Sequence, residues 1–334
     1  MLAVHVGPTD VPGLLGRLYA APYGRASLLF VLVAGVGVSL LASSRRADAG
    51  KVRWILGWRA LLLLPAGLAL QELDHGANVI LQDYAVLFVL AIVLLPLPGR
   101  WLLALAAGAA ALGPVAYLLG QARAPEVYTR APTTLTDPVV DTVHGLVLSG
   151  PYPLLTLAAP FLFGMWLGRQ DLGATLLQRR LAIAGWATAI TAFLAARGLV
   201  ALLGPPTTSG DPRFLVTSAA HGQMPLWLIG GTGAAVGVLG VALLVAARFP
   251  RATWPLASTG QLALTVYVGH LVLLHTASGI ATSDRLLPAV LITLTLSALA
   301  VAVAAAWRSV ADRGPLEVLL RPPPMRLPAS SGAT

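Results

Sequence analysis

Apolar residues in this chain come in uninterrupted blocks of about twenty, and no other feature limits the possible fold as strongly. A helix that rises 1.5 Å per residue needs about that length to cross roughly 30 Å of hydrocarbon. Strands are not expected, because the blocks are continuous, rich in Leu and Ala, and do not alternate. Only 10% of the residues are charged, whereas about a quarter are charged in a soluble domain. The sequence therefore predicts an all-α, polytopic membrane helix bundle.

Nine complete crossings are predicted, at residues 25–43, 54–72, 77–96, 101–120, 151–168, 181–203, 223–247, 256–277 and 286–307. Residues 1–6 form an apolar stub, which rises only about 9 Å and cannot span. We expect this stub to be the outer end of a truncated first helix, so that the true protein has ten crossings. An immediate in-frame stop codon upstream of Met1 would contradict that expectation. Residues 1–321 are assigned to a single membrane domain, and the proline-rich residues 322–334 to a disordered cytoplasmic tail.

Most Lys and Arg residues fall on one side of the predicted topology, and most acidic residues fall on the other. Cationic loops are retained in the cytoplasm, so the sequence predicts a bacterial inner-membrane protein with a cytoplasmic C-terminus. The net charge of +9 is then a signal of topology. Nucleic-acid binding is not expected, because no basic patch is interleaved with aromatic residues. The absence of Cys excludes disulfides, thiolate nucleophiles and iron–sulfur ligands, and no metal site is predicted.

Every histidine maps to the outer half of the predicted bundle: His5, His75, His144, His221, His270 and His275. An ionisable group inside the membrane is costly, so it usually faces the bundle interior and serves a function. His5 and His270 are therefore the strongest candidates. His275 lies about 140° around the helix from His270, so those two cannot share a face. His144, His221 and His275 lie near the water interface, where surface or loop-packing roles are commoner.

Charged residues inside predicted spans form a second group of candidates. Asp83 and Arg197 lie where an unpaired charge would cost several kcal/mol. A structural salt bridge or a contact with a carbonyl explains either residue as well as catalysis does. Arg59, close to a cytoplasmic helix end, is interpreted as reaching out to lipid phosphate. Small-residue helix contacts are predicted at Gly35, Gly37, Gly233 and Gly237.

Five segments carry a family resemblance through their order and spacing: GRASLLFVLVAGVGVSLL (24–41), VILQDYAVLFVLA (79–91), YPLLTLAAPFLFGMWLGR (152–169), GQLALTVYVGHLVLLH (260–275) and RGPLEVLLR (313–321). In these the chain resembles bacterial proteins akin to heparan-α-glucosaminide N-acetyltransferase, in the transmembrane acyltransferase superfamily. The opening MLAVH looks like the end of that family's first helix. The resemblance implies transfer of an acyl group, usually acetyl from acetyl-CoA in the cytoplasm, to a sugar or envelope acceptor outside.

The resemblance also implies roles for particular residues. His5 matches the superfamily's histidine near the outer end of the first helix, and a neutral imidazole suits a catalytic base. His270 and Asp83 are further catalytic candidates. The cations assigned to the CoA phosphates are Arg45, Arg46, Lys51, Arg53 and Arg197. The expected partners are membrane lipid, acyl-CoA and a glycan or envelope acceptor, and a homo-oligomer is left open.

Two other classes of function remain open. A transporter or flippase would also combine many helices, internal charges and histidines able to relay protons. A catalytically inactive membrane scaffold of the same fold is the third alternative. Transfer of acetyl from acetyl-CoA separates these classes, because a transporter should move solute without any CoA.

Overall fold

The structure is a computed structural model, and it describes residues 2–44 and 48–324. Over these residues the chain forms α-helices and no strand. The α-helices are α1 Leu2–Val6, α2 Leu14–Ala20, α3 Ala26–Ala42, α4 Ala49–Gln71, α5 Leu81–Leu94, α6 Gly99–Arg123, α7 Pro125–Tyr128, α8 Val139–His144, α9 Leu154–Leu167, α10 Thr175–Leu203, α11 Pro225–Arg248, α12 Pro250–Gln261, α13 Ala263–Thr276, α14 Ser278–Ala281 and α15 Leu286–Val310. A π-helix covers Gly145–Ser149 and a 3₁₀-helix covers Pro212–Val216.

Five of the described helices, α4, α6, α10, α11 and α15, are long and apolar enough to cross a membrane. The number rises to seven if each of two bent helix pairs is one span, and α3 and α5 are shorter apolar helices. The predicted fold class, an all-α membrane helix bundle, is thereby confirmed. The count of nine spans stays a prediction, and so does the orientation of the bundle.

The span predicted at 256–277 is a correction, since the chain there is not one straight helix. It divides at Leu262 into α12 and α13, which are bent by 68°. The amide of Leu262 donates to the Ser258 and Thr259 carbonyls and ends α12. The carboxylate of Glu317 then accepts a 3.0 Å hydrogen bond from the Thr265 amide in the first turn of α13. The bend persists because this distant acid satisfies an amide that has no partner within its own helix.

The outer loop predicted at 121–150 also contains more structure than expected. Residues Val139–Ser149 are helical and meet α9 at 57°. The two helices are separate because Pro151 and Pro153 stand between them, and a proline disfavours helical conformation in the residue before it. The chain therefore enters α9 through a bend instead of an open loop.

Close helix pairs dominate the packing. The helices α10 and α11 pack along their length, as do α4 with α5, α3 with α9, and α6 with α9. Small residues permit this, because a Cβ on Gly185 would meet the Gly237 amide and the Gly233 carbonyl. The predicted contacts at Gly233, Gly237 and Gly35 are present, and Gly35 faces the Phe161 carbonyl. Gly37 has open space around it, so that part of the prediction is wrong.

The first and last parts of the chain pack together. Helix α1 lies against α15, and the Val6 carbonyl accepts a 2.9 Å hydrogen bond from the Ser283 amide. Residues 313–323, called the C-terminal segment below, fold back under the bundle. Trp58 Nε1 donates to the Leu319 carbonyl at 2.8 Å, and Trp54 Nε1 donates to the Pro323 carbonyl at 3.1 Å. The rest of the predicted tail, from residue 325, lies outside the described residues.

Candidate functional site

The two strongest sequence candidates, His5 and His270, lie against each other. Their ring centroids are 5.7 Å apart and their planes are inclined by 29°. Tyr267, one turn before His270 on α13, packs edge-on to the His270 ring at a centroid distance of 5.1 Å. His270 is only 8% exposed, and its Nε2 atom is buried without a hydrogen-bond partner. The three rings form one cluster, called the histidine pair with Tyr267 below.

Neighbouring helices hold this cluster in place. The docking of α1 on α15 fixes His5 from one side. On α13, the Tyr267 hydroxyl accepts a 3.1 Å hydrogen bond from the Ile80 amide at the start of α5. Glu317 holds the first turn of the same helix through both the amide and the hydroxyl of Thr265, the latter at 2.6 Å. The ring of His270 is therefore positioned by contacts from the beginning, middle and end of the chain.

A cavity of about 260 Å³ lies beside Tyr267. Its polar wall is formed by Arg59, Tyr84, Gln261, Tyr267 and Glu317, and the rest of the wall is mainly apolar. On the predicted orientation, Arg59, Gln261 and Glu317 belong to its cytoplasmic end. We call this space the Tyr267 cavity. It gives the histidine pair a polar neighbour that a small, partly apolar substrate could enter.

Arg59 was interpreted from sequence as reaching out to lipid phosphate, and the structure corrects this. Its side chain lines the Tyr267 cavity, and its Nε atom is buried without a hydrogen-bond partner. Glu317 lines the same cavity, yet among the described residues the Arg59 guanidinium forms no ion pair with it. Arg59 therefore offers a free donor to an occupant of the cavity.

Asp83 has a different environment from the two histidines. It is 5% exposed on α5 and precedes Tyr84, which lines the Tyr267 cavity. Asp83 itself does not belong to the cavity wall. The structure therefore keeps it as a buried acid near the site, and its catalytic role stays a prediction.

Three other histidines hold loops together. His75 Nε2 donates to the Leu70 carbonyl at 2.9 Å, while its Nδ1 accepts from the Ala77 amide at 3.1 Å. His144 Nδ1 lies 2.9 Å from the Ser149 hydroxyl across the π-helix. His275 is exposed, and its Nδ1 lies 3.1 Å from the Asp74 carbonyl. These contacts give each of the three a structural role.

His221 is surrounded by aromatic rings in a way that the sequence did not indicate. The rings of Tyr23, Tyr152 and Trp227 have centroids 5.2, 5.7 and 6.2 Å from its own. Its backbone has φ of 56°, which is uncommon for a residue other than glycine. Burial in this aromatic setting lowers the pKa of His221, because the charged imidazolium loses hydration. The neutral ring is therefore favoured at physiological pH.

The predicted CoA-binding cations are not gathered at one place. Lys51 and Arg53 are exposed in the first turns of α4. Arg45 and Arg46 lie outside the described residues. Arg197 lines a separate cavity with Thr217 and Ser218 near the far end of α10, so the structure does not bring it together with the α4 cations.

Three residues that the sequence did not single out as a site belong to the histidine cluster or its cavity: Tyr267, Arg59 and Glu317. The only sequence signal for them was the presence of Arg59 inside an apolar block. Tyr267 and Glu317 looked like ordinary residues of a helix and a cytoplasmic segment. Within residues 2–44 and 48–324, no group of three or more His, Asp or Glu residues is arranged to hold a metal ion.

Comparison with known proteins gives one match. Residues 167–322, just under half of the chain, match the family described as "Protein of unknown function (DUF418)". The matched region contains Tyr267, His270 and Glu317, whereas His5, Arg59 and Asp83 lie outside it. No curated protein and no solved structure matches the chain. The C-terminal half of this membrane helix bundle is thus similar to a family whose description leaves its activity open.

Proposed function

We propose that this protein is an integral membrane acyltransferase that moves an acetyl or other acyl group from cytoplasmic acyl-CoA to an extracytoplasmic sugar or envelope acceptor. One observation carries the proposal. A buried histidine pair, placed in the outer half of the bundle by the sequence, adjoins a cavity whose polar wall reaches the opposite end. An acyl-transfer site in a membrane needs both a base and a route for the donor from the other side.

The histidine pair supplies the base. In this proposal the acceptor hydroxyl attacks the thioester carbonyl, and its proton passes to the unpartnered Nε2 of His270. A C–O bond forms, and the C–S bond breaks as the tetrahedral adduct collapses. The imidazolium then returns the proton to the departing thiolate, so that free CoA leaves as the thiol. His5, stacked on His270, is the alternative base and the one that matches the family resemblance.

The Tyr267 cavity would hold the arm of the donor. The pantetheine arm of acyl-CoA is a chain of neutral amides that ends in a thioester. Arg59 can donate to its carbonyl oxygens, and Gln261 and Glu317 can accept from its N–H groups. The phosphates of CoA would remain at the membrane surface, near the exposed cations Lys51 and Arg53 and the sequence-predicted Arg45 and Arg46.

A second candidate, a transporter or flippase, draws support from the break between α12 and α13. Transporters often place their substrate at a helix broken within the membrane. In that case the Tyr267 cavity would bind a solute, and no thioester would be cleaved.

The experiment is an acyl-transfer assay on purified protein in vesicles that contain an envelope extract as the source of acceptor. The expected result is release of free CoA from acetyl-CoA and appearance of radiolabelled acetyl in the acceptor fraction. His5→Ala should abolish both, while acetyl-CoA still protects the protein against heat. Solute movement without CoA release would favour the transporter. Unchanged CoA release by both His5→Ala and His270→Ala would overturn the proposed chemistry.

A further inference from the structure

A groove of about 610 Å³ runs along the seam between two helix pairs, and the proposed acyl transfer does not use it. Helices α6 and α9 pack closely on each other, and so do α10 and α11, whereas the two pairs touch each other little. The space between them is the largest cavity found among the described residues. An empty gap of this size would forfeit the dispersion contacts of its walls, so it calls for an occupant.

The groove exists because its walls carry small side chains. Ala106 and Ala110 face it from α6, Ala184 and Gly185 from α10, and Gly233 from α11. The lining is mainly apolar, with the hydroxyls of Thr188 and Thr232 among its few polar groups. Such a surface suits a hydrocarbon chain far better than a sugar or a nucleotide, because polar ligands would leave their hydrogen bonds unsatisfied there.

The length of the groove and its one charge specify the occupant further. Along α10 the lining runs from Arg180 to Thr188, which is a rise of about 12 Å. That length is close to one leaflet of a hydrocarbon core of roughly 30 Å. Arg180 stands at the end where the predicted cytoplasmic leaflet meets water, and Trp166 lines the same end of α9. A cation at the mouth of a leaflet-deep apolar groove matches an anionic head group on an acyl chain.

We propose that this groove binds one acyl chain of an anionic glycerophospholipid, with the head-group phosphate held by Arg180. The inference does not depend on acyl-transfer activity, since the groove and the Tyr267 cavity have no lining residue in common. It assigns Arg180 to lipid binding, a role different from the topology signal that its charge also provides.

Native mass spectrometry of the full chain in a delipidating detergent tests the proposal. The probes are phosphatidylglycerol and phosphatidylcholine with identical acyl chains. The wild-type protein should retain one phosphatidylglycerol in preference to phosphatidylcholine. Arg180→Gln should weaken phosphatidylglycerol binding by about fivefold and remove the preference, since one cation near a phosphate contributes about 1 kcal/mol. Arg179→Gln is the matched control, because Arg179 carries the same charge and does not line the groove.

A second pair of variants tests the groove itself. Ala107→Trp fills it, whereas Ala104→Trp lies on the same helix outside the lining. Only the first should displace phosphatidylglycerol, with both proteins eluting as folded species in size-exclusion chromatography. Equal phosphatidylglycerol binding by Arg180→Gln and Arg179→Gln would overturn the proposal. A dimer of this chain that Ala107→Trp disrupts, or exclusive retention of a prenyl phosphate, would also overturn it by identifying another occupant.

Discussion

The imidazole of His270 stacks on that of His5, with ring centroids 5.7 Å apart, although the two residues belong to helices at opposite ends of the chain. Neither residue could form this pair through local structure. The contact depends on α1 docking against α15 and on α13 starting anew after the bend at Leu262. Two buried imidazoles in contact are costly to keep in a membrane, which is the physical reason to connect them with function.

The first prediction concerns the base. His270→Ala should lower the rate of CoA release about 10²–10⁴-fold, because it removes a positioned proton acceptor. His275→Ala on the same helix is the control, since that side chain is exposed and contacts only a loop carbonyl. The measurement is the initial rate at saturating acetyl-CoA. Equal rates in the two variants would argue against His270 as the base.

The second prediction concerns the donor cavity. Arg59→Gln should raise the KM for acetyl-CoA about tenfold with a smaller change in kcat, because one charge-assisted hydrogen bond to the donor is lost. Arg100→Gln, an exposed cation on the same predicted face, should leave the KM unchanged. A loss confined to kcat would place Arg59 in the chemical step instead of donor binding.

The third prediction concerns the C-terminal segment. Glu317→Ala removes two hydrogen bonds from the start of α13 and should destabilise the protein by about 1–3 kcal/mol. The expected result is a lower melting temperature of the purified protein together with weaker acetyl-CoA protection. Asp312→Ala is the comparison, because Asp312 is fully exposed and lies 3.9 Å from Arg308. Similar melting temperatures for both variants would contradict the capping role.

The fourth prediction concerns the outer loop. Arg213 and the Thr207 amide donate hydrogen bonds to the Asp211 carboxylate, and these bonds hold its pKa well below the usual range. The stabilisation is present above the unfolded carboxyl pKa of about 3.9 and is lost as the pH falls through the folded value.

Asp211→Asn should therefore lower the melting temperature at pH 7, and the difference from wild type should shrink below about pH 4. Asp284→Asn, at an exposed position, should have little effect at either pH. A melting-temperature difference independent of pH would show that the charge of Asp211 is not responsible.

The fifth prediction concerns helix packing. Gly185→Leu places a side chain against the backbone of α11 and should destabilise the bundle by about 1–3 kcal/mol. Gly198→Leu on the same helix meets open space and should be neutral or slightly stabilising, because leucine favours helix more than glycine does. Thermal unfolding of the two variants checks this, and an equal loss in both would contradict the packing assignment.

The sequence predicted the bundle well because membrane helices are recorded locally, as apolar length. It also placed His5 and His270 at similar depth. It could not predict that they face each other, because apolar blocks specify depth and leave helix rotation undetermined. The same gap explains Arg59, whose depth was correctly estimated while the direction of its side chain was not.

The break at Leu262 shows a different limit. Residues 256–277 form one continuous apolar run in the sequence, so periodicity predicts one helix. The partner that sustains the break is Glu317, separated from Thr265 by 52 positions, and no local pattern connects them. The Tyr267 cavity was hidden for the same reason, because its walls come from five separate helices and the C-terminal segment.

The docking of α1 on α15 has a consequence for how the molecule is made. A ribosome releases residue 5 long before residue 270, so the first helix must wait in the lipid, unpaired, while most of the polypeptide is still being synthesised. Until the last helix arrives, the ring of His5 has neither its stacking neighbour nor the surface that anchors it. Chains whose translation stops early would therefore insert into the bilayer and still lack the feature on which their chemistry depends.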